Sequence, residues 1–169
     1  MSYCIYIGRN LTADGQAYLA GYGDEPSSHW LELMPRQKHE PGATIEVGVT
    51  PEADVPGLRG TIPQVAETAR NLRTSYSYYK GVPAPITNGG VNEYGVAVRD
   101  VWSTSHERLQ VMTPADQTGP NYSDLARIVL ERATSARHGV EIIGELIARH
   151  GYSTYGAVSY THLTLPTKA

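Results

Sequence analysis

The chain has 169 residues, enough for one domain with a sizeable core. Its 14 Lys and Arg against 17 Asp and Glu leave a formal charge of −3, and no basic cluster offers a footprint for nucleic acid or an anionic membrane. Every apolar run falls short of the roughly 18 residues that suggest a membrane helix, the start lacks the pattern of a signal peptide, and one cysteine can neither close an internal disulfide nor furnish a cysteine-based zinc site. These totals suit a soluble, cytoplasmic enzyme or binding protein.

From Cys4 to Gly8 the chain reads Cys-Ile-Tyr-Ile-Gly, a β-prone run. Asp14-Gly15 in "LTADGQ" is a pairing that favours a tight hairpin turn. "AYLAGYG" can return as a second strand, so residues 4–22 predict a β-hairpin. "HWLELM" (29–34) keeps Leu31 and Leu33 apolar beside Glu32, which predicts a strand buried on one face. Pro35, Pro41, Pro51, Pro56 and Pro63 predict extended loops across 35–64 around one short strand, "ATIEVGV". "QVAETARNL" (64–72) can make a short helix, "TSYSYYKG" (74–81) is β-prone, and "VAVRDVW" (96–102) alternates as a half-buried strand should.

The period then changes. In "NYSDLARIVLERA", Leu125, Ile128, Val129 and Ala133 fall on one helical stripe, with Asn121 or Ser123 placed to cap it. "SARHGVEIIGELIARHG" repeats the pattern with Val140, Ile143, Leu146 and Ile147, and Gly151 supplies a stop. Strands first and a helical pair later predict an α+β fold, with helices layered on a mostly antiparallel sheet. The six histidines show no metal-ligand spacing, so no histidine metal site is expected.

Cys4 has two readings. Free cysteine is among the most buried residue types and usually acts as a small hydrophobe. If residues 1–3 are removed, however, Cys4 carries both a thiol and a free α-amine. An α-amine with a pKa of about 7.7–8.0 suits a general base near neutral pH. A thiol only a few per cent ionised at pH 7 gains from such a base. Excision of Met1 alone would expose Ser2, but nothing around Ser2 supports a nucleophilic role.

"YCIYIGRNLTADG", "PITNGGVNEYGVAV" and "YSDLARIVLERATSARHGVEIIGELIARHGYSTYG" together resemble the dipeptidase family of N-terminal-nucleophile (Ntn) cysteine hydrolases, over about residues 3–156. "GVNEYGV" is shared with a wider superfamily that includes bile-salt hydrolases and penicillin V acylases, whereas the helical block points to the dipeptidases. The resemblance implies an αββα sandwich and a cofactor-free cysteine hydrolase that cuts small peptides once a propeptide, residues 1–3, is lost. Cys4 matches the nucleophile, Asp24 an acidic residue beside it, and Asn92 a residue that helps form the oxyanion hole. Each of the last two also reads as turn chemistry: Asp24 precedes Glu25-Pro26, and "NGG" and "NEYG" join strands.

The chain departs from the family in two places. Many relatives carry an Arg and an Asn shortly before the acidic residue, where this chain has Gly21 and Tyr22, so the contacts of that Arg do not transfer. Relatives also continue well beyond this length. After "GYSTYG" the chain turns to "AVSYTHLTLPTKA", which reads as adapter-derived sequence although it would make a fair strand. Residues 4–156 are thus expected to be the N-terminal part of a catalytic domain and 157–169 a non-native tail, leaving strand edges unpaired and apolar surface uncovered. The expected partner is a small peptide substrate, without nucleic acid or membrane, and a homo-oligomer of the full-length parent is compatible. An amidase or acylase of the bile-salt hydrolase or penicillin V acylase type, and a non-catalytic binding module with Cys4 in its core, stay open as alternatives.

Overall fold

The computed structural model describes residues 2–23, 27–101 and 105–155. Strands β1 (Tyr3–Ile7) and β2 (Tyr18–Tyr22) pair antiparallel, with Cys4 opposite Gly21 and Tyr3 opposite Tyr22. The expected hairpin is present, but its connection is wide. A 3-10 turn at Arg9–Leu11 precedes Asp14-Gly15, where Asp14 Oδ1 accepts from the Gln16 N–H at 3.1 Å and Gly15 takes a φ of 69°. Asp-Gly thus closes a local turn within the loop and does not join the strands directly.

Next come β3 (His29–Met34), β4 (Gln37–Lys38), β5 (Thr44–Val47), β6 (Gly60–Pro63) and β7 (Glu67–Thr68). β4 pairs with β7 and β5 with β6, so residues 35–64 hold three short strands where one was expected. Residues 64–72 do not form a helix; they contain β7 and the start of β8 (Asn71–Tyr76). Tertiary pairing overrides local propensity there: Glu67 and Thr68 face Lys38 and Gln37, and the Ala69 N–H donates to the Glu131 carbonyl at 2.7 Å.

β9 (Thr87–Asn92) and β10 (Ala97–Arg99) complete a four-stranded antiparallel sheet of order β10-β9-β8-β3. "NGG" lies inside β9 and not in a turn. A Cβ on Gly89 or Gly90 would overlap the carbonyl oxygen of Val98 or Leu72, so the two glycines let the neighbouring backbones close in.

Helices α1 (Glu107–Met112), α2 (Tyr122–Arg132) and α3 (Ala136–His150) follow. α2 starts with a capping box: the Asn121 side chain accepts from the Asp124 N–H, and Asp124 Oδ2 accepts from the Asn121 N–H, each at 3.0 Å. The predicted stripe Leu125, Ile128, Val129 and Ala133 is buried, against Val96 and Val98 of the sheet and against Val47, Ile62 and Leu146. On α3 the buried stripe lies closer to Gly139, Ile142, Ile143 and Leu146, while Val140 and Ile147 stay exposed. Among the described residues no helix is long and apolar enough to cross a membrane. The fold is α+β, with antiparallel pairing between the described strands.

Side-chain alternation sorts the sheet into two faces. One backs onto α2. The other carries Leu31 and Leu33 of β3, Leu72 of β8 and Val91 of β9, all exposed among the described residues. β3 is therefore inverted relative to expectation: Leu31 and Leu33 face outward, at 69% and 70% exposure. Glu32 points to the helical side because the buried Arg73 needs a carboxylate, which Glu32 supplies at 3.4 Å while also accepting from Ser75.

Asp124 ties the loop before β6 to α2. Its carboxylate accepts from the Gly48 N–H at 2.8 Å and from Arg127 Nη2 at 3.1 Å, and Arg127 Nη2 reaches the Glu46 carbonyl at 2.9 Å. Burial pushes the Asp124 carboxyl above its ordinary pKa; Arg127 and the two backbone N–H donors oppose that shift. Replacing Asp124 by Ala leaves the Arg127 cation buried without its partner. The expected loss is about 3–5 kcal/mol, read from urea unfolding midpoints; a variant as stable as the parent contradicts it.

Candidate active site

Cys4 stands second in β1 and is half-buried. Directly opposed residues of an antiparallel pair project to the same face, with Cβ atoms about 4.5–5.5 Å apart. Cys4 therefore shares its face of the hairpin with the position of Gly21, while Tyr3, Ile5, Tyr18 and Tyr22 lie exposed on the other. Tyr3 is built into the strand, and its ring stacks on Tyr22 with centroids 5.6 Å apart. In the chain as it stands, the Cys4 nitrogen is part of the Tyr3–Cys4 peptide bond.

The space that Gly21 leaves open is filled by Arg99 of β10. A Cβ at position 21 would sit 2.5 Å from Arg99 Nε and 2.8 Å from its Cγ. The Arg99 side chain thus crosses β2 on the face that carries the thiol. Burial pushes the Cys4 pKa up, while the Arg99 charge and the Ile5 backbone N–H pull it back. Arg99 Nη1 contacts the Asn88 carbonyl at 3.3 Å and Asp100 Oδ1 at 3.4 Å. Beside these groups a cleft of about 700 Å³ opens between β2 and the outer face of the sheet, lined by Gly21, Asn88, Gly89 and Arg99 with Leu31, Leu72 and Val91. Its volume lies within the range of small-molecule sites.

Asn92 is placed elsewhere. Its Nδ2 donates to the carbonyls of Leu130 at 3.1 Å and Ala133 at 2.7 Å, and its Oδ1 accepts from the N–H groups of Tyr94 and Val96, each at 3.0 Å. Both Nδ2 hydrogens are spent on the end of α2, so this side chain holds none for a reacting carbonyl in this arrangement. Arg99 is registered with Gly89, three residues along β9 from Asn92, or about 10 Å of strand. Asp24 lies outside the described residues, as do Trp102 and the segment 157–169. Among the described residues, no group of three or more His, Cys, Asp or Glu is placed to hold a metal ion.

Arg99 was not singled out in the sequence. The available signal was the alternation of "VAVRDV": Val96 and Val98 pack under α2, which puts Ala97 and Arg99 on the opposite face of the strand.

Two measurements follow from this geometry. Alkylation of Cys4 by iodoacetamide should rise with pH to a midpoint above that of an unstructured cysteine peptide, because burial disfavours the thiolate; a lower midpoint contradicts the placement. Replacing Asn92 by Ala should cost at least about 3 kcal/mol in urea unfolding, since each buried group left unpaired costs about 1–3 kcal/mol.

Comparison with known proteins agrees with the family resemblance read from the sequence. Over 161 residues the chain is 21% identical to a "Probable dipeptidase" of Latilactobacillus sakei, an alignment that covers 92% of this chain and 31% of that protein. The chain thus spans about a third of the length of that curated relative. The sequence profile of peptidase family C69 matches residues 66–163, from β7 through α2 and α3 and beyond. The chain belongs to peptidase family C69.

Proposed function

We propose that the full-length protein is a cysteine dipeptidase, in which Cys4 becomes an N-terminal nucleophile once residues 1–3 are lost. The observation that carries this reading is the position of Cys4, the chain's one cysteine, on the hairpin face that also bears the Arg99 guanidinium. Membership of a peptidase family, and the name of the Latilactobacillus sakei relative, support hydrolysis of small peptides. The fold supports it too. α2 backs one face of the sheet, α3 packs against α2, and Leu31 and Leu33 are exposed on the opposite face among the described residues, as in one half of an αββα sandwich.

Burial keeps the thiol protonated, so the reaction needs a base at hand. The freed α-amine is on the same Cα and removes the thiol proton as Sγ attacks the scissile carbonyl. The oxyanion takes hydrogen bonds from donors close to Cys4, of which the Ile5 N–H is one. Collapse breaks the C–N bond, and the leaving amine receives the proton from the α-ammonium. Water then attacks the thioester, gives up a proton to the amine and restores the thiol. No cofactor is needed at any step. Asp24 completes the proposal as a carboxylate that would steady the ammonium.

The test uses the full-length protein with a panel of dipeptides and N-acyl amino acids, together with its intact mass. Cys4→Ala should reduce dipeptide turnover to background, and the active protein should begin at Cys4. Turnover by a protein that retains Met1 or Ser2 overturns the N-terminal mechanism. Cleavage of N-acyl amino acids in preference to dipeptides moves the protein to the acylase type.

A further inference from the structure

Arg99 carries a charge that the described residues use only in part. Its side chain as a whole is 17% exposed. A guanidinium has five N–H donors. Nη1 makes two contacts, at 3.3 Å to the Asn88 carbonyl and at 3.4 Å to Asp100, both near the outer limit of a hydrogen bond. Among the described residues, Nε and Nη2 donate to no acceptor. The buried Arg127 is held more closely, with acceptors at 2.9 and 3.1 Å. Among the described residues, Asp100 thus holds Arg99 at one corner and no acceptor takes the Nε–Nη2 edge, the fork that takes a carboxylate through two parallel hydrogen bonds.

That edge lies in a particular place. Nε passes over the backbone of Gly21, which is registered with Cys4. The cleft beside it is walled by Leu31, Leu72, Val91 and Ala97. A cationic fork on the wall of an apolar cleft, over the glycine that opposes Cys4, suits a molecule with a carboxylate and an apolar side chain on the same carbon. In a dipeptide the terminal carboxylate carbon is no more than about 4.3 Å from the scissile carbonyl carbon, the combined length of the C–N, N–Cα and Cα–C bonds. A carboxylate held at Arg99 would thus bring the bond before it to the sulfur.

We infer that Arg99 binds the free C-terminal carboxylate of the substrate, selecting dipeptides with an apolar second residue over longer or amidated peptides. The inference rests on the proposed role of Cys4 and deepens it by naming what the site reads. Gly21 belongs to the same device, because any side chain there would displace the guanidinium.

The test measures the thiol directly and needs no turnover. Cys4 of the full-length protein is alkylated with iodoacetate and with iodoacetamide, and the rate at Cys4 is followed by peptide mass mapping. The ratio of the two rates cancels any change in thiolate fraction and reports attraction for a carboxylate. In Arg99→Gln the iodoacetate-to-iodoacetamide ratio should fall roughly tenfold, the size of one charge-assisted hydrogen bond, and Arg99→Lys should keep part of it. As a check independent of variants, N-acetyl-leucine should protect the parent's Cys4 from iodoacetamide and N-acetyl-leucinamide should not. An unchanged ratio in Arg99→Gln, or equal protection by acid and amide, overturns the inference. A parent that shows carboxylate selectivity but hydrolyses no dipeptide overturns the proposed function and leaves the anion site standing.

Discussion

One side-chain amide joins the sheet to the helix behind it. Asn92 ends β9, closes the turn into β10 through Tyr94 and Val96, and holds the last turn of α2 by the carbonyls of Leu130 and Ala133. A buried amide with all its partners in place fixes both groups it touches; with any partner missing it would be costly. The consequence runs along β10. Because Asn92 sets where that strand begins, it sets how Val98 meets α2 and, one residue on, where Arg99 leaves the strand toward Gly21. The residue that family resemblance singled out near the reaction thus acts, in this structure, as the frame on which the opposite face is hung.

What could be read from the chain differed by region, for physical reasons. α2 and α3 were legible because their apolar period and caps are local: Asn121 and Asp124 lie in one turn, and Gly151 ends the second helix with a φ of 86°. Residues 64–72 misled because their helical propensity is weak and their partners lie far away, in Gln37, Lys38 and Glu131. Leu31 and Leu33 misled for a related reason. Alternation gives the two faces of a strand but not which one is covered, and the buried cation of Arg73 decided that Glu32 turned inward.

The site follows the same rule. Cys4 could be picked out because the chain holds no other thiol and a β-prone run follows it. Arg99 could not, since its importance comes from the approach of β10 to β2, a contact between strands far apart in sequence. The gap that Gly21 leaves in the family's usual pattern was visible in the sequence, whereas the side chain that enters it was visible only in three dimensions.

The paired glycines of β9 carry a consequence for how this cleft can change. Neither Gly89 nor Gly90 has room for even a methyl group, because backbone oxygens on either side would collide with it. The floor of the cavity is therefore frozen by its own skeleton. Variation in the size of molecule admitted must come from the rim, where Leu31, Leu72 and Val91 project freely and can be exchanged without disturbing a neighbour's main chain.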